Sequence, residues 1–360
     1  MFMCLGLVFA AAFAMAFAAM ASEPTVYFPR RTWDMKSPAD AGVDPSRLQA
    51  AIDLLCEPAQ NRALGPTQEA ADFTGCAIKD GYLIATWGRS DYKYDWKSSS
   101  KPMLATLLFF AVQEGKLSSV DDRLADHGWN LSEKDQSMTY AHLANMTSGY
   151  SLPDRPGAAY AYNDYGIRLY AVALDRIFGG QGLNPPAARL FGDLQLQDGD
   201  VFNNENLHVK TSARDFARIG WLWMNRGLWN GKQVLERRFF DQYLSPHVPP
   251  ELAISAGKEI DDYLKIGTYG GNNNQHTYGP GLYGFNWWFN APVPGLGRRN
   301  WPVAPPDTFA SLGFGGNNMY MFPGRGLLVA ARGNWGASNV QPADSRVSQI
   351  HRLLLEAVKA

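Results

Sequence analysis

Residues 98–116 read Ser-Ser-Ser-Lys-Pro-Met-Leu-Ala-Thr-Leu-Leu-Phe-Phe-Ala-Val-Gln-Glu-Gly-Lys. Met103, Leu104, Leu107, Leu108, Ala111 and Val112 recur at helical spacing, and Gly115-Lys116 supplies a stop signal. Proline is tolerated only in the first turn of a helix, so the helix begins close to Pro102 and Ser98 serves as its N-cap. Ser98 and Lys101, three apart, then share one face. The amine stands beside the hydroxyl whose proton it would take, and the helix dipole favours negative charge at that end. Ser98 is thereby a candidate acylated nucleophile of a hydrolase. A serine-rich cap followed by a solvated lysine fits these residues equally well. The same spacing recurs at Ser90/Lys93 and Ser255/Lys258. Ser90 runs into Tyr94-Asp95-Trp96 without a helical period, and Ser255 lies in a polar, glycine-containing stretch, so only Ser98 opens a helix.

On either side of this helix the pattern alternates between strands and helices. Residues 45–56 read as a helix capped by Asp44, with Leu48, Ile52 and Leu55 on one face. Residues 75–78 and 82–86 read as two strands joined by Lys79-Asp80-Gly81, a hairpin signal. From about residue 126 to 290 the chain is loop-rich, with helices at 165–177 and at 211–227, the second capped by Ser212. Residues 270–274 and 302–306 read as loops. A second hairpin, 319–322 with 327–331, turns at Pro323-Gly324-Arg325-Gly326. The last helix, 345–358, is expected to bury Val347, Ile350, Leu353 and Leu354. The predicted class is α+β: an antiparallel sheet flanked by terminal helices, with a mainly helical domain inserted. The sheet domain takes residues 22–125 and 291–360, the helical domain residues 126–290, and Ser98 falls where the two meet.

Composition narrows the function. With 46% hydrophobic and 19% charged residues the chain can bury a large core, and a net charge of -1 argues against nucleic acid as a partner. Residues 1–21 carry no charged side chain and end in Ala19-Met20-Ala21, a small-x-small cleavage pattern. They read as a signal peptide, although the segment lacks Lys and Arg. An uncleaved membrane anchor is the rival reading, and only that reading would bring the chain to a membrane. Either way the expected location is periplasmic or secreted. Cys4 has no lipidation context, and cleavage would leave Cys56 and Cys76, which an oxidising compartment allows to pair. The six histidines (127, 142, 208, 247, 276 and 351) show no metal-binding spacing, so no metal is expected, and no cofactor motif stands. There is no Gly-x-Ser-x-Gly elbow of an α/β-hydrolase. The stretch from Gly281 through Trp287-Trp288 reads equally as cleft lining or as core.

Several segments, in order, resemble the serine β-lactamase and penicillin-binding-protein superfamily, nearest the branch holding class C β-lactamases, family VIII esterases and 6-aminohexanoate-dimer hydrolases. Ser98-Ser99-Ser100-Lys101 resembles its Ser-x-x-Lys element, and Val120-Asp121-Asp122 follows Glu114-Gly115-Lys116-Leu117 at the usual distance. Ala141-His142-Leu143 with Met146-Thr147-Ser148-Gly149 resembles its helix and Thr-Ser-Gly stretch. Pro156-Gly157 with Tyr160-Ala161-Tyr162-Asn163-Asp164 resembles its Tyr-x-Asn element. Residues 211–215 with 227–231 resemble another recurrent stretch, and Gly313-Phe314-Gly315-Gly316 stands where the third active-site element belongs. The resemblance implies a β-lactamase/transpeptidase-like fold. It makes Tyr162 the second catalytic group, with Tyr160 a rival by register, and makes the backbone amides of Ser98 and Phe314 the oxyanion hole, with Gly313 and Gly315 allowing close approach.

Two departures qualify what the resemblance implies. The family asparagine is Asp164 here, and a carboxylate beside Lys101 favours the charged ammonium, which shifts the base role toward Tyr162. The usual Lys-Thr-Gly or His-Thr-Gly of the third element is Ser311-Leu312-Gly313, which lacks the cation and hydroxyl that hold a substrate carboxylate. The expected activity is hydrolysis of small-molecule carboxylic esters or small amides through a Ser98 acyl-enzyme. A β-lactamase or D,D-carboxypeptidase is the alternative on the same machinery. A catalytically silent binding protein on this fold is the alternative of another class, against which the intact Ser98, Lys101 and Tyr162 speak.

Overall fold

The computed structural model describes residues 26–58, 73–199, 201–202, 209–257, 260–268, 278–336, 340 and 342–358. The expected signal peptide, Cys4, His208, His276 and the expected loop at 270–274 lie outside the described residues.

Eleven strands are described: β1 (Thr74–Lys79), β2 (Tyr82–Trp87), β3 (Tyr94–Asp95), β4 (Lys210–Thr211), β5 (Leu228–Trp229), β6 (Lys232–Gln233), β7 (Tyr283–Gly284), β8 (Trp287–Phe289), β9 (Phe309–Ser311), β10 (Asn317–Phe322) and β11 (Leu327–Arg332). Seven of them form one antiparallel sheet in the order β2-β1-β11-β10-β9-β8-β7. The two hairpins read from the sequence, β1–β2 and β10–β11, meet at its centre through the β1–β11 pairing, so the ends of the chain do share one sheet. The sheet also takes in β7 and β8, which the sequence reading left in the helical segment 126–290. Their strands are only two and three residues long and consist of four aromatic residues and Gly284, all buried, so they show no alternation of polar and apolar positions.

Helices cover both faces. Strand side chains alternate between faces, and β10 shows what each face meets. Met319 points at α6 (Ala213–Met224), so closely that a Cβ added at Gly220 would lie 2.5 Å from its sulfur. The next residue, Tyr320, points the other way and packs on Trp335 and on His351 of α8 (Arg346–Ala357), with ring centroids 4.8 and 4.5 Å apart. α1 (Pro45–Cys56) lies against α8. Its N-cap Asp44 accepts from the Ser46 and Arg47 amides, as its sequence position predicts. On α8, Val347, Ile350 and Leu354 are buried, but Leu353 is only partly covered.

Between the central hairpins come α2 (Lys101–Gln113), α3 (Tyr140–Ala144), α4 (Asp164–Ile177), α5 (Asn184–Phe191) and α7 (Arg237–Tyr243). α2 is buried from Lys101 through Ala111 and packs on α3, α4 and α5. It therefore has no exposed face in this stretch, unlike the one-sided stripe expected from the sequence. The six stripe positions are apolar, but so are Ala105, Phe109 and Phe110 between them, with Thr106 the one polar residue, and a helix apolar on all sides is a core helix. The Trp223 indole of α6 donates to Thr106 Oγ1 of α2 at 3.0 Å, tying the sheet-covering helix to the core of the helical region.

Candidate active site

Ser98 sits in a turn of 3-10 helix, Lys97–Ser100, that leads directly into α2. It is thus not the α2 N-cap expected from sequence. That position falls to Ser100, whose hydroxyl donates back to the Lys97 carbonyl at 2.6 Å instead of capping the helix. The chain is forced into the turn by Lys97, which has φ +53° and whose amide donates to Asp95 Oδ1 at 2.8 Å. A lysine in the left-handed region is a strained arrangement of the kind that clusters at functional sites. Upstream, β3 pairs with β4, and the Trp96 indole donates to the Thr211 carbonyl at 2.9 Å, so the approach to Ser98 is anchored on the inserted segment.

Lys101 is the first residue of α2 and is fully buried, with its Nζ donating to Ser98 Oγ at 2.7 Å. Asp164 Oδ1 lies 3.6 Å from the same nitrogen, and the two side chains are 1% and 10% exposed. The ammonium also lies 4.7 Å from the centre of the Tyr162 ring. A buried ammonium needs such neighbours, because an unpaired charge away from water is expensive. Asn163 makes the geometry possible. As N-cap of α4 it accepts from the Tyr165 and Gly166 amides, while its Nδ2 donates to the Tyr150 carbonyl at 2.6 Å. This fixes Tyr162 before the helix and Asp164 at its first position, where a carboxylate also suits the helix dipole.

The rival residues resolve by position. Tyr160 is fully buried against Tyr283 and Gly279, and burial pushes its phenol well above the usual range. Ser255 is buried and donates to Asp154, while Lys258 lies outside the described residues. Ser90 lies in a turn, and the neighbouring Lys93 extends toward Gly199. His142 accepts from the Thr139 amide in a capping box and so serves the start of α3. Tyr283, Trp287 and Trp288 are buried; Trp287 is core against Phe109 and Trp223, whereas Tyr283 and Trp288 pack on the Tyr162 ring. Cys56 and Cys76 are free thiols; Cys76 is buried, donates to the Ala213 carbonyl, and its thiol is pushed up to about 12 by burial.

The third element meets the Ser98 turn edge on. Ser99 Oγ donates to the Ser311 carbonyl at 2.7 Å, and Ser311 Oγ donates to the Ser99 carbonyl, a reciprocal staple that is wholly buried. The Ser311 hydroxyl, standing where the family pattern has a cation, is thereby committed to Ser99. A Cβ at Gly313 would lie 2.5 Å from the Trp96 carbonyl, 2.7 Å from the Asn317 carbonyl and 2.9 Å from the Ser99 amide, so only glycine fits this close approach. Phe314 is 66% exposed beside it, and Gly315 and Gly316 continue the turn with φ +74° and +73°. Sequence reasoning missed the Ser99–Ser311 staple; two serines 212 positions apart carry no signal until the sheet is assembled.

An antiparallel sheet covered by helices on both faces, with a Ser-x-x-Lys turn at the start of a buried helix, is the architecture of the serine β-lactamases and penicillin-binding proteins. Residues 78–193, which include Ser98, Lys101, Tyr162 and Asp164, match the Beta-lactamase family model. The structure is similar to that of a Bacteroides dorei protein assigned as a β-lactamase (TM-score 0.58, 16% identity, 88% of this chain and 99% of that one). It is also similar to a Bacillus anthracis protein assigned as a 6-aminohexanoate-dimer hydrolase (TM-score 0.53, 16% identity, 79% and 77%). In sequence it is 21% identical over 311 residues to an uncharacterized protein of Alkalihalophilus pseudofirmus, covering 73% of this chain and 84% of that protein. The chain thus carries a Beta-lactamase family match over residues 78–193 and shares the fold of these solved structures.

Proposed function

We propose that this protein is an exported serine hydrolase that cleaves carboxylic esters or small amides of uncharged character through an acyl-enzyme on Ser98. The observation that carries the reading is the 2.7 Å hydrogen bond from the buried Lys101 ammonium to Ser98 Oγ, with Asp164 and the Tyr162 ring on the same nitrogen.

Ser98 Oγ attacks the acyl carbon and its proton passes to the Lys101/Tyr162 pair, which acts as general base, with Lys101 Nζ already hydrogen-bonded to Ser98 Oγ. The carbonyl oxygen takes up the negative charge between the Ser98 and Phe314 amides. The bond to the leaving alcohol or amine breaks as Tyr162 returns the proton to it. A water then loses its proton to the same pair and attacks the acyl carbon; the bond to Ser98 Oγ breaks, and the pair returns that proton to Ser98 Oγ as the acid leaves. The sequence uses no metal or cofactor. The commitment of Ser311 to Ser99 disfavours substrates whose carboxylate needs a cation on that strand, and so disfavours β-lactams and D-alanyl peptides. Export rests on the uncharged, apolar residues 1–21 and the Ala19-Met20-Ala21 pattern.

The test is parallel turnover of p-nitrophenyl acetate, p-nitrophenyl butyrate and nitrocefin. Ester hydrolysis with nitrocefin at least ~10²-fold slower in kcat/KM supports the reading. Rapid nitrocefin hydrolysis would replace it with a β-lactamase.

A further inference from the structure

The site has two halves, and only one of them depends on charged side chains. The other is the turn 313–316, whose contribution in the reading above is a backbone amide. A backbone donor is useful only if its peptide plane is fixed before the charge develops. Glycines make this turn intrinsically loose: three of its four residues are glycine, two with positive φ. Something outside the turn has to hold it.

Two adjacent asparagines at the start of β10 do so from opposite sides. Asn318, fully buried, accepts from the Gly313 amide through Oδ1 at 3.0 Å. Asn317, 3% exposed, donates from Nδ2 to the Phe314 carbonyl at 2.5 Å. The Asn317 amide is itself oriented, because its Oδ1 accepts from Nε of Arg332 at 2.8 Å on the paired strand β11. Arg332 in turn lies with its guanidinium 4.3 Å from the centre of the Tyr94 ring in β3, three residues before the turn that begins at Lys97. The path Tyr94, Arg332, Asn317, Phe314 therefore links the segment entering the nucleophile turn to the residue across from it.

We propose that Asn317, oriented by Arg332, is a positioning residue that fixes the Phe314–Gly315 peptide while Asn318 fixes the Leu312–Gly313 peptide, so that the Gly313–Phe314 peptide clamped between them keeps its Phe314 N–H facing the acyl oxygen on Ser98. The proposal rests on the Ser98 acyl-enzyme reading. It makes Asn317 act through the backbone of Phe314 and not by touching substrate. A fixed donor that meets only the tetrahedral state lowers the barrier without tightening substrate binding, so its loss falls on kcat and spares KM.

The test compares wild type, Asn317→Asp, Arg332→Met and Ser98→Ala. Asn317→Asp keeps an acceptor for Arg332 but presents a carboxylate to the Phe314 carbonyl. The readouts are kcat and KM on p-nitrophenyl acetate and the inhibition constant of phenylboronic acid, which forms a tetrahedral adduct on a serine hydroxyl. For Asn317→Asp the expected result is a ~10- to 10²-fold fall in kcat, KM within ~3-fold, and boronate affinity weakened in proportion to kcat/KM. Arg332→Met should show the same pattern at ~3- to 10-fold, and it carries the test if Asn317→Asp does not fold. Unchanged kcat in a folded variant, or a fall in kcat that leaves boronate affinity intact, overturns the positioning role. Ester turnover retained in Ser98→Ala instead overturns the acyl-enzyme reading itself, whatever the Asn317 variant does.

Discussion

The turn at 97–101 and the turn at 311–317 lie against each other, yet they are built on opposite principles. The first concentrates charge: a buried ammonium, a buried carboxylate 3.6 Å from it, and a hydroxyl at 2.7 Å. The second has no charged residue at all; it is glycine, an exposed phenylalanine and a committed serine. Side-chain chemistry needs particular residue types and writes them into the sequence. Backbone chemistry needs a conformation, and writes only the glycines that permit it. The two turns teach that the serine–lysine half of the pattern can stand intact while a serine committed to Ser99 occupies the cation position of the other half.

The sharpest break of the comparison is Lys101→Met. If the first turn works through charge, the variant loses ~10³-fold or more in kcat/KM on p-nitrophenyl acetate. A loss below ~10-fold would mean the lysine is a structural cation only. Tyr162→Phe comes next. It keeps the ring beside Lys101 and removes the phenol, and steady-state kinetics should show a ~10²- to 10³-fold fall in kcat. Full activity in that variant would return the proton-transfer role to Lys101.

The second turn is tested by Gly313→Ala. Its new Cβ meets three backbone atoms, the Trp96 and Asn317 carbonyls and the Ser99 amide, none of which can swing aside as a side chain would. Thermal or urea unfolding should show a loss of about 1–3 kcal/mol, with ester kcat reduced ~10-fold or more in the folded fraction. A variant as stable and active as wild type would contradict the close approach of the two turns.

The smallest effect on activity lies outside both turns and separates acid unfolding from acid inactivation. His351 is enclosed by Trp301, Tyr320, Phe322 and Trp335, and neither ring nitrogen has a hydrogen-bond partner among the described residues. Burial pushes its imidazole down to about 3 from an ordinary value near 6.5. The folded state thus keeps it neutral while the unfolded chain binds a proton below that ordinary value. Its contribution is intact above pH ~6.5 and falls as pH drops toward 3, at most ~1.4 kcal/mol per pH unit. His351→Phe should flatten the decline in stability between pH 6.5 and 4 without moving the pH dependence of kcat at 25 °C. An unchanged stability slope would show that the ring is protonated or hydrated in the folded state.

What was legible in the sequence follows the same division. The Ser98/Lys101 spacing, the two hairpins and the caps Asp44 and Ser212 were readable because each rests on local rules of period, turn and cap. Asp164 was readable as a departure, one residue off a pattern. The 3-10 turn was not, because Lys97 adopts a positive φ that no local rule assigns to lysine. β7 and β8 were hidden because a run of buried aromatic residues carries no alternation. The Ser99–Ser311 staple and the Asn317–Arg332 pair join residues far apart in the chain, and no single segment announces either one.

The most direct measurement is peptide mapping by mass spectrometry after labelling the folded protein with a fluorophosphonate. The expected result is one adduct, on the peptide that carries Ser98, formed at a rate that collapses in Lys101→Met. No adduct, or an adduct on Ser90 or Ser255 in place of Ser98, would contradict the account.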